Sequence, residues 1–279
     1  MEKSIVETFV ASGMELTGAL AFVFLAGLLT DLATGLGALP FFFVDDVDDR
    51  WRVGLWGLAS GIMLSASGFG LFREGLNYGT PLEVAAGAGA GVLLVVAAER
   101  IIDDYEFAPR EIAAADFKKL VLIAGVLTVH SFPEGVAVGV SFADMGLDGG
   151  YPILGFSVPL LAVFMTIAIS IHNIPEGLAV SIPLHEHGAR RWKLVGVAVF
   201  TSVPQPIGAV LAFGFVQVAR TLLPVGYGFA GGAMVFLVLH EFIPEAREVG
   251  ARLPNDGTRE LVTGLTVGVA GMVPMLFVA

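Results

Sequence analysis

The chain has 279 residues, 56% of them apolar and only 15% charged, with a mean hydropathy of +0.82. A soluble domain of that length needs more charge to cover its surface, so lipid is the expected solvent for most of it. The net charge of -11 argues against bulk binding to nucleic acid or anionic lipid, and the lack of Cys excludes disulfides and thiolate metal sites.

In chain order, eight apolar stretches match the length of about 20 residues that a helix needs to cross a bilayer. They run roughly 12–43, 53–73, 82–102, 117–143, 152–183, 192–219, 224–247 and 260–279. The fold class predicted is all-α: one polytopic membrane domain, 1–279, of eight transmembrane helices. The first stretch is too long for a cleaved signal, and Met1-Glu2-Lys3 before it lacks a basic region. The first and fifth exceed a straight crossing and are expected to tilt, kink or project. Asp31 is the only charge between Leu16 and Val44, a minor candidate for an inner pathway. The run Asp45-Asp46-Val47-Asp48-Asp49 reads as a solvated loop. Small residues crowd Ala85–Gly91, as close helix packing in lipid requires.

Loop charge sets the orientation. Eight spans put the loops near 44–52, 100–119, 184–193 and 247–259 on one face, with twelve Lys and Arg, against Lys3, Arg73 and Arg220 on the other. The positive-inside rule then places the twelve in the cytoplasm and both termini outside, in a multi-pass protein of the plasma membrane.

Span four contains His130-Ser131-Phe132-Pro133-Glu134-Gly135-Val136-Ala137-Val138. Span five contains His172-Asn173-Ile174-Pro175-Glu176-Gly177-Leu178-Ala179-Val180, 42 residues later. The pattern H-x-x-P-E-G-x-A-V thus occurs twice. His and Glu at i and i+4 share a helix face, and consecutive spans lie side by side. His130, Glu134, His172 and Glu176 are therefore predicted to meet around one divalent ion, such as Zn²⁺, Fe²⁺ or Mn²⁺. Pro133 and Pro175 cannot donate to the carbonyls of Val129 and Ile171, so a kink is expected at each. Gly135 and Gly177 leave room for a neighbouring helix. Buried hydrogen-bonded groups that only fix packing are the plain alternative, but four ionisable side chains at matched spacing inside a bilayer point to function.

In span six, Gln205 offers a neutral oxygen to the same site or an interhelical hydrogen bond. Span seven ends in His240-Glu241-Phe242-Ile243-Pro244-Glu245. Glu241 and Glu245, i and i+4, with His240 beside them, read as an inner relay or release site that Glu99 joins from span three. His185 and His187 read as solvated loop residues.

The doubled motif resembles the signature helices of the ZIP zinc/iron transporters, in particular their prokaryotic branch. Gly35-Leu36-Gly37-Ala38-Leu39-Pro40 is similar to the end of that family's first helix, and His240-Glu241 with Pro244-Glu245 to its seventh. The resemblance implies a 3+2+3 arrangement whose outer triplets form an inverted repeat, a homodimer, and uptake toward the cytoplasm. It also implies a block of helices one, four, five and six sliding against two, three, seven and eight, with a midplane site as alternating access requires. Relatives with a two-metal centre carry Asn, Asp and Glu where this chain has Ser131, Asn173 and Gln205. One principal ion is therefore expected, with Asn173 and Gln205 auxiliary. The His-rich tract common after the third helix in such proteins is absent.

The function expected is transport of a divalent metal, zinc first and iron, manganese, cadmium or cobalt with it, without a catalytic cofactor. Its partners are the ion, the bilayer and a second copy of the chain, not nucleic acid. The rival class is an intramembrane metalloprotease. His240-Glu241 begins its H-E-x-x-H pattern, but position 244 is Pro. A passive metal pore is a third reading.

Overall fold

The computed structural model describes residues 5–103, 129–146 and 150–277. They form helices α1 (Ile5–Leu36), α2 (Asp49–Tyr78), α3 (Pro81–Asp103), α4 (129–141), α5 (Leu160–Glu186), α6 (Arg191–Val218), α7 (Arg220–Gly250) and α8 (Pro254–Phe277). All but α4 are long and apolar enough, within the described residues, to cross a membrane. The first part of predicted span four, 117–128, lies outside the described residues, with Arg110, Lys118 and Lys119 of the basic loop.

Local chemistry sets the helix ends. The Asp48 carboxylate accepts from the Arg50 N–H at 2.7 Å and caps α2. Thr80 and Glu83 form a reciprocal box at the start of α3. Thr80 N donates to Glu83 Oε2 at 2.7 Å, and Glu83 N donates to Thr80 Oγ1 at 3.3 Å, with Pro81 at the first helical position. α6 breaks at Val203, between Arg191–Ser202 and Pro204–Val218. Pro204 and Pro206 lack the N–H groups that would continue the helix there. α5, by contrast, runs on through Pro175 and Pro183.

Predicted span five begins too early. Residues 151–158 form an antiparallel hairpin, Tyr151–Ile153 paired with Phe156–Val158, and the helix starts only at Leu160. Leu154 and Gly155 have φ of 50° and 86°, the two positive values a two-residue type I′ turn needs. Pro152, Gly155 and Pro159 punctuate an apolar stretch that hydropathy alone reads as continuous span.

The helices fall into two blocks. In the first, α1, α4, α5 and α6 meet backbone to backbone. A Cβ on Gly177 of α5 would overlap the Thr34 carbonyl of α1, and one on Gly135 of α4 would overlap the Gln205 carbonyl of α6. In the second block, α2 packs along α8 and α3 along α7, again with backbones in contact. Between the blocks the approaches at glycines are to side chains, such as Leu161 of α5 near Gly70 of α2 and Val140 of α4 near Gly226 of α7. Exchanging helices 1–3 with 6–8 turns the α2–α8 pair into α7–α3, as an inverted repeat demands. Both α2 and α7 also contain a π-helical turn, at Ala66–Phe72 and Val238–Phe242.

At the end of the bundle remote from Arg52, Arg190 and Arg252, Asp144, just beyond α4, ties the blocks together. It accepts from Tyr78 at the end of α2, and Arg220 of α7 reaches its Oδ1 at 2.7 Å.

Candidate metal centre

Two clusters of ionisable side chains lie in the membrane-spanning part of the described residues. In the first, Glu134 of α4 meets His172 and Glu176 of α5, and the ligand-type atoms lie within 4.8 Å of one another. His172 Nε2 is 3.2 Å from Glu134 Oε1 and 3.6 Å from Glu176 Oε1. All three side chains are buried. The proximity follows from the fold: i,i+4 spacing stacks His172 over Glu176, and the α5 backbone is held against α1 at Gly177.

The second cluster is Glu99 of α3, His130 of α4 and Glu241 of α7, also within 4.8 Å. His130 Nε2 is 3.0 Å from Glu241 Oε1. His240 Nε2 lies 3.7 Å from Glu99 Oε2, and its ring stacks on Phe236. Glu241 falls in the π turn of α7, where the wider turn re-aims side chains relative to an α-helix. Of the four motif residues, then, three converge in one cluster. His130 is fully buried and turns to the other. The first cluster lies within one block; the second spans the seam between the blocks.

Buried polar atoms without a hydrogen-bond partner gather here: His130 Nδ1, His172 Nδ1, Glu176 Oε1 and Glu99 Oε1. Lone pairs left over at buried imidazoles and carboxylates are the donor supply that a divalent cation takes up.

The amides of the expected auxiliary pair face each other. Asn173 Nδ2 donates to the Thr30 carbonyl of α1 at 2.7 Å and to Gln205 Oε1 at 2.9 Å. Gln205 Nε2 donates to Glu134 Oε2. Gln205 thus turns nitrogen, not oxygen, toward the first cluster.

A cleft of about 380 Å³ lies between α2, α5 and α7. It begins at Pro175, next to Glu176, and is lined toward the basic-loop end by Glu186, Glu245, Glu248, Arg52 and Arg252. Glu245 therefore lies along this cleft and not in the second cluster with Glu241. Glu186, Glu248 and the two Arg were not singled out from the sequence. Charges at helix ends read as solvated, and only the cleft gives them a shared place. Asp31 of α1 is buried, with Oδ1 lacking a hydrogen-bond partner, and does not line that cleft. His187 is exposed, whereas His185 packs its ring 4.7 Å from that of Phe41.

The sequence profile of the ZIP zinc transporter family matches residues 109–279. A protein of Arabidopsis thaliana described as a candidate zinc transporter is 39% identical over 86% of this chain, which spans 36% of that longer protein. Zinc transporter GufA of Myxococcus xanthus is 34% identical over 87% of this chain and 93% of its own length. Zinc transporter ZIPB of Bordetella bronchiseptica is 33% identical over 92% and 80%. These proteins are transporters and not enzymes, which sets the metalloprotease reading aside. A doubled His/Glu motif, one buried and one partly buried cluster and a matching profile over more than half of the sequence lead to one conclusion: the chain belongs to the ZIP zinc transporter family.

Proposed function

We propose that the chain carries zinc, and with it iron(II), manganese, cadmium or cobalt, from outside into the cytoplasm by alternating access. The observation that supports this best is the fully buried Glu134–His172–Glu176 cluster lying inside one helix block. Carboxylates facing an imidazole there neutralise a dication and replace its water. A cluster held within one block travels with that block, while Glu99, His130 and Glu241 at the seam form a second stop. His130 stands next to both, so it passes the ion from one to the other. The cleft from Pro175 to Glu186 and Arg252 is the way out in this conformation, toward the face with the basic loops. The working unit proposed is a plasma-membrane homodimer with both termini outside.

Two measurements test the reading. In reconstituted vesicles, zinc flux should saturate, and unlabelled iron, manganese, cadmium and cobalt should compete with it. Acid should weaken uptake, because imidazole and carboxylate ligands bind metal only when deprotonated. Flux that never saturates would favour a pore. Since the chain has no Cys, a single Ala179→Cys reports the cleft alone. A membrane-impermeant maleimide should label it from the face of the basic loops, with zinc slowing the reaction. Labelling only from the opposite face would reverse the assigned direction.

A further inference from the structure

We infer that Gln205 and Asn173 are positioning residues that aim the Glu134 carboxylate, and that neither lends an atom to the ion. The orientation of both amides follows from their end partners. The Thr30 carbonyl only accepts, so the Asn173 atom 2.7 Å from it is the nitrogen. The Glu134 carboxylate also accepts when ionised, so the Gln205 atom beside it is a nitrogen as well. Gln205 Oε1 is then left facing Asn173 Nδ2 at 2.9 Å, and Asn173 Oδ1 faces Gln205 Nε2 at 3.3 Å. Each amide oxygen already has a donor, and both groups are fully buried. With the Gln205 nitrogen turned to Glu134 and its oxygen turned to Asn173, Gln205 could offer that oxygen to an ion beside Glu134 only by flipping its amide, which would set an acceptor against the carboxylate and the two amide nitrogens against each other.

The result is a relay across four helices: the α1 backbone at Thr30, Asn173 on α5, Gln205 on α6 and Glu134 on α4. It occupies Glu134 Oε2 and leaves Oε1 facing His172 Nε2 at 3.2 Å. The carboxylate is thereby offered to the metal through one chosen oxygen, in a fixed rotamer, as outer partners do for metal ligands elsewhere.

The inference rests on the transport reading above, so its test separates binding from flux. Zinc affinity by equilibrium dialysis, and KM and Vmax in proteoliposomes, are measured on protein that elutes as a single folded species. Gln205→Met keeps the shape and removes the donor. It should weaken zinc binding about tenfold and raise KM by a similar factor, with a smaller fall in Vmax. Asn173→Leu should do the same to a lesser degree. The double variant should be no worse than the worse single, because the two amides act in series through one carboxylate. If Gln205→Met does not fold, Asn173→Ala supplies the same comparison from the far end of the relay. Losses that multiply in the double variant would mean two independent ligands and overturn the inference. So would an unchanged KM with reduced yield, the mark of a purely structural role. Gln205→Glu discriminates further. It keeps an oxygen but loses the donor, so it should be impaired at least as much as Gln205→Met, and tighter zinc binding would overturn the assignment. Zinc binding that follows this pattern without any zinc flux would fail the transport reading and leave the relay standing.

Discussion

Replacing Glu134 and His172 together by Ala should cut zinc flux into proteoliposomes by roughly 100-fold or more, since outer partners of a ligand alone commonly account for 10–100-fold. The double variant leaves Glu176 as the sole member of the first cluster. It also removes one of the two carboxylates that make a buried place for a dication tolerable in low dielectric. Folding should survive. The variant leaves buried Glu176 without His172 and Gln205 Nε2 without its acceptor, but the backbone contacts that hold α4 and α5 in their block involve neither of the replaced side chains. A matched His187→Ala, exposed and outside both clusters, should transport like the parent chain. Near-normal flux from the double variant, measured on folded protein, would remove the site.

Gly177→Val should be the most damaging single substitution outside the clusters, costing about 3 kcal/mol or more, at or beyond the upper end of overpacking effects. A Cβ at 177 would overlap the Thr34 carbonyl, a backbone atom that can move only if α1 and α5 separate. The check is thermal unfolding in detergent against Gly89→Val. At Gly89 on α3 a Cβ meets nothing within 4 Å, and the change there should stay within about 1 kcal/mol. Equal stability of the two variants would contradict the tight α1–α5 contact.

The sequence carries the eight-helix plan and the residues of both clusters, because hydropathy and i,i+4 spacing are local properties. What it does not carry is rotation of one helix against another. His130 and Glu134 share a face of α4, yet one turns toward α7 and the other toward α5, and only the crossing of helices decides which neighbour each meets. The π turn that aims Glu241 is invisible for the same reason: Val238–Phe242 has no composition that marks an extra residue in the turn. The orientation of Gln205 was open in the sequence because an amide presents both a donor and an acceptor. Its neighbours settle it. The hairpin at 151–158 was legible in principle, from Pro152, Gly155 and Pro159, but its apolar residues outweighed them in a hydropathy reading.

The two kinds of contact in the bundle have a mechanical consequence. Helices locked through main-chain atoms have almost no compliance, since no torsion can absorb a displacement there. Surfaces joined by the tips of Leu161 or Val140 yield by ordinary rotamer hops. Sliding one block along the other therefore meets less steric resistance than separating helices within a block, and a displacement of given energy reaches further along that seam than across the main-chain contacts.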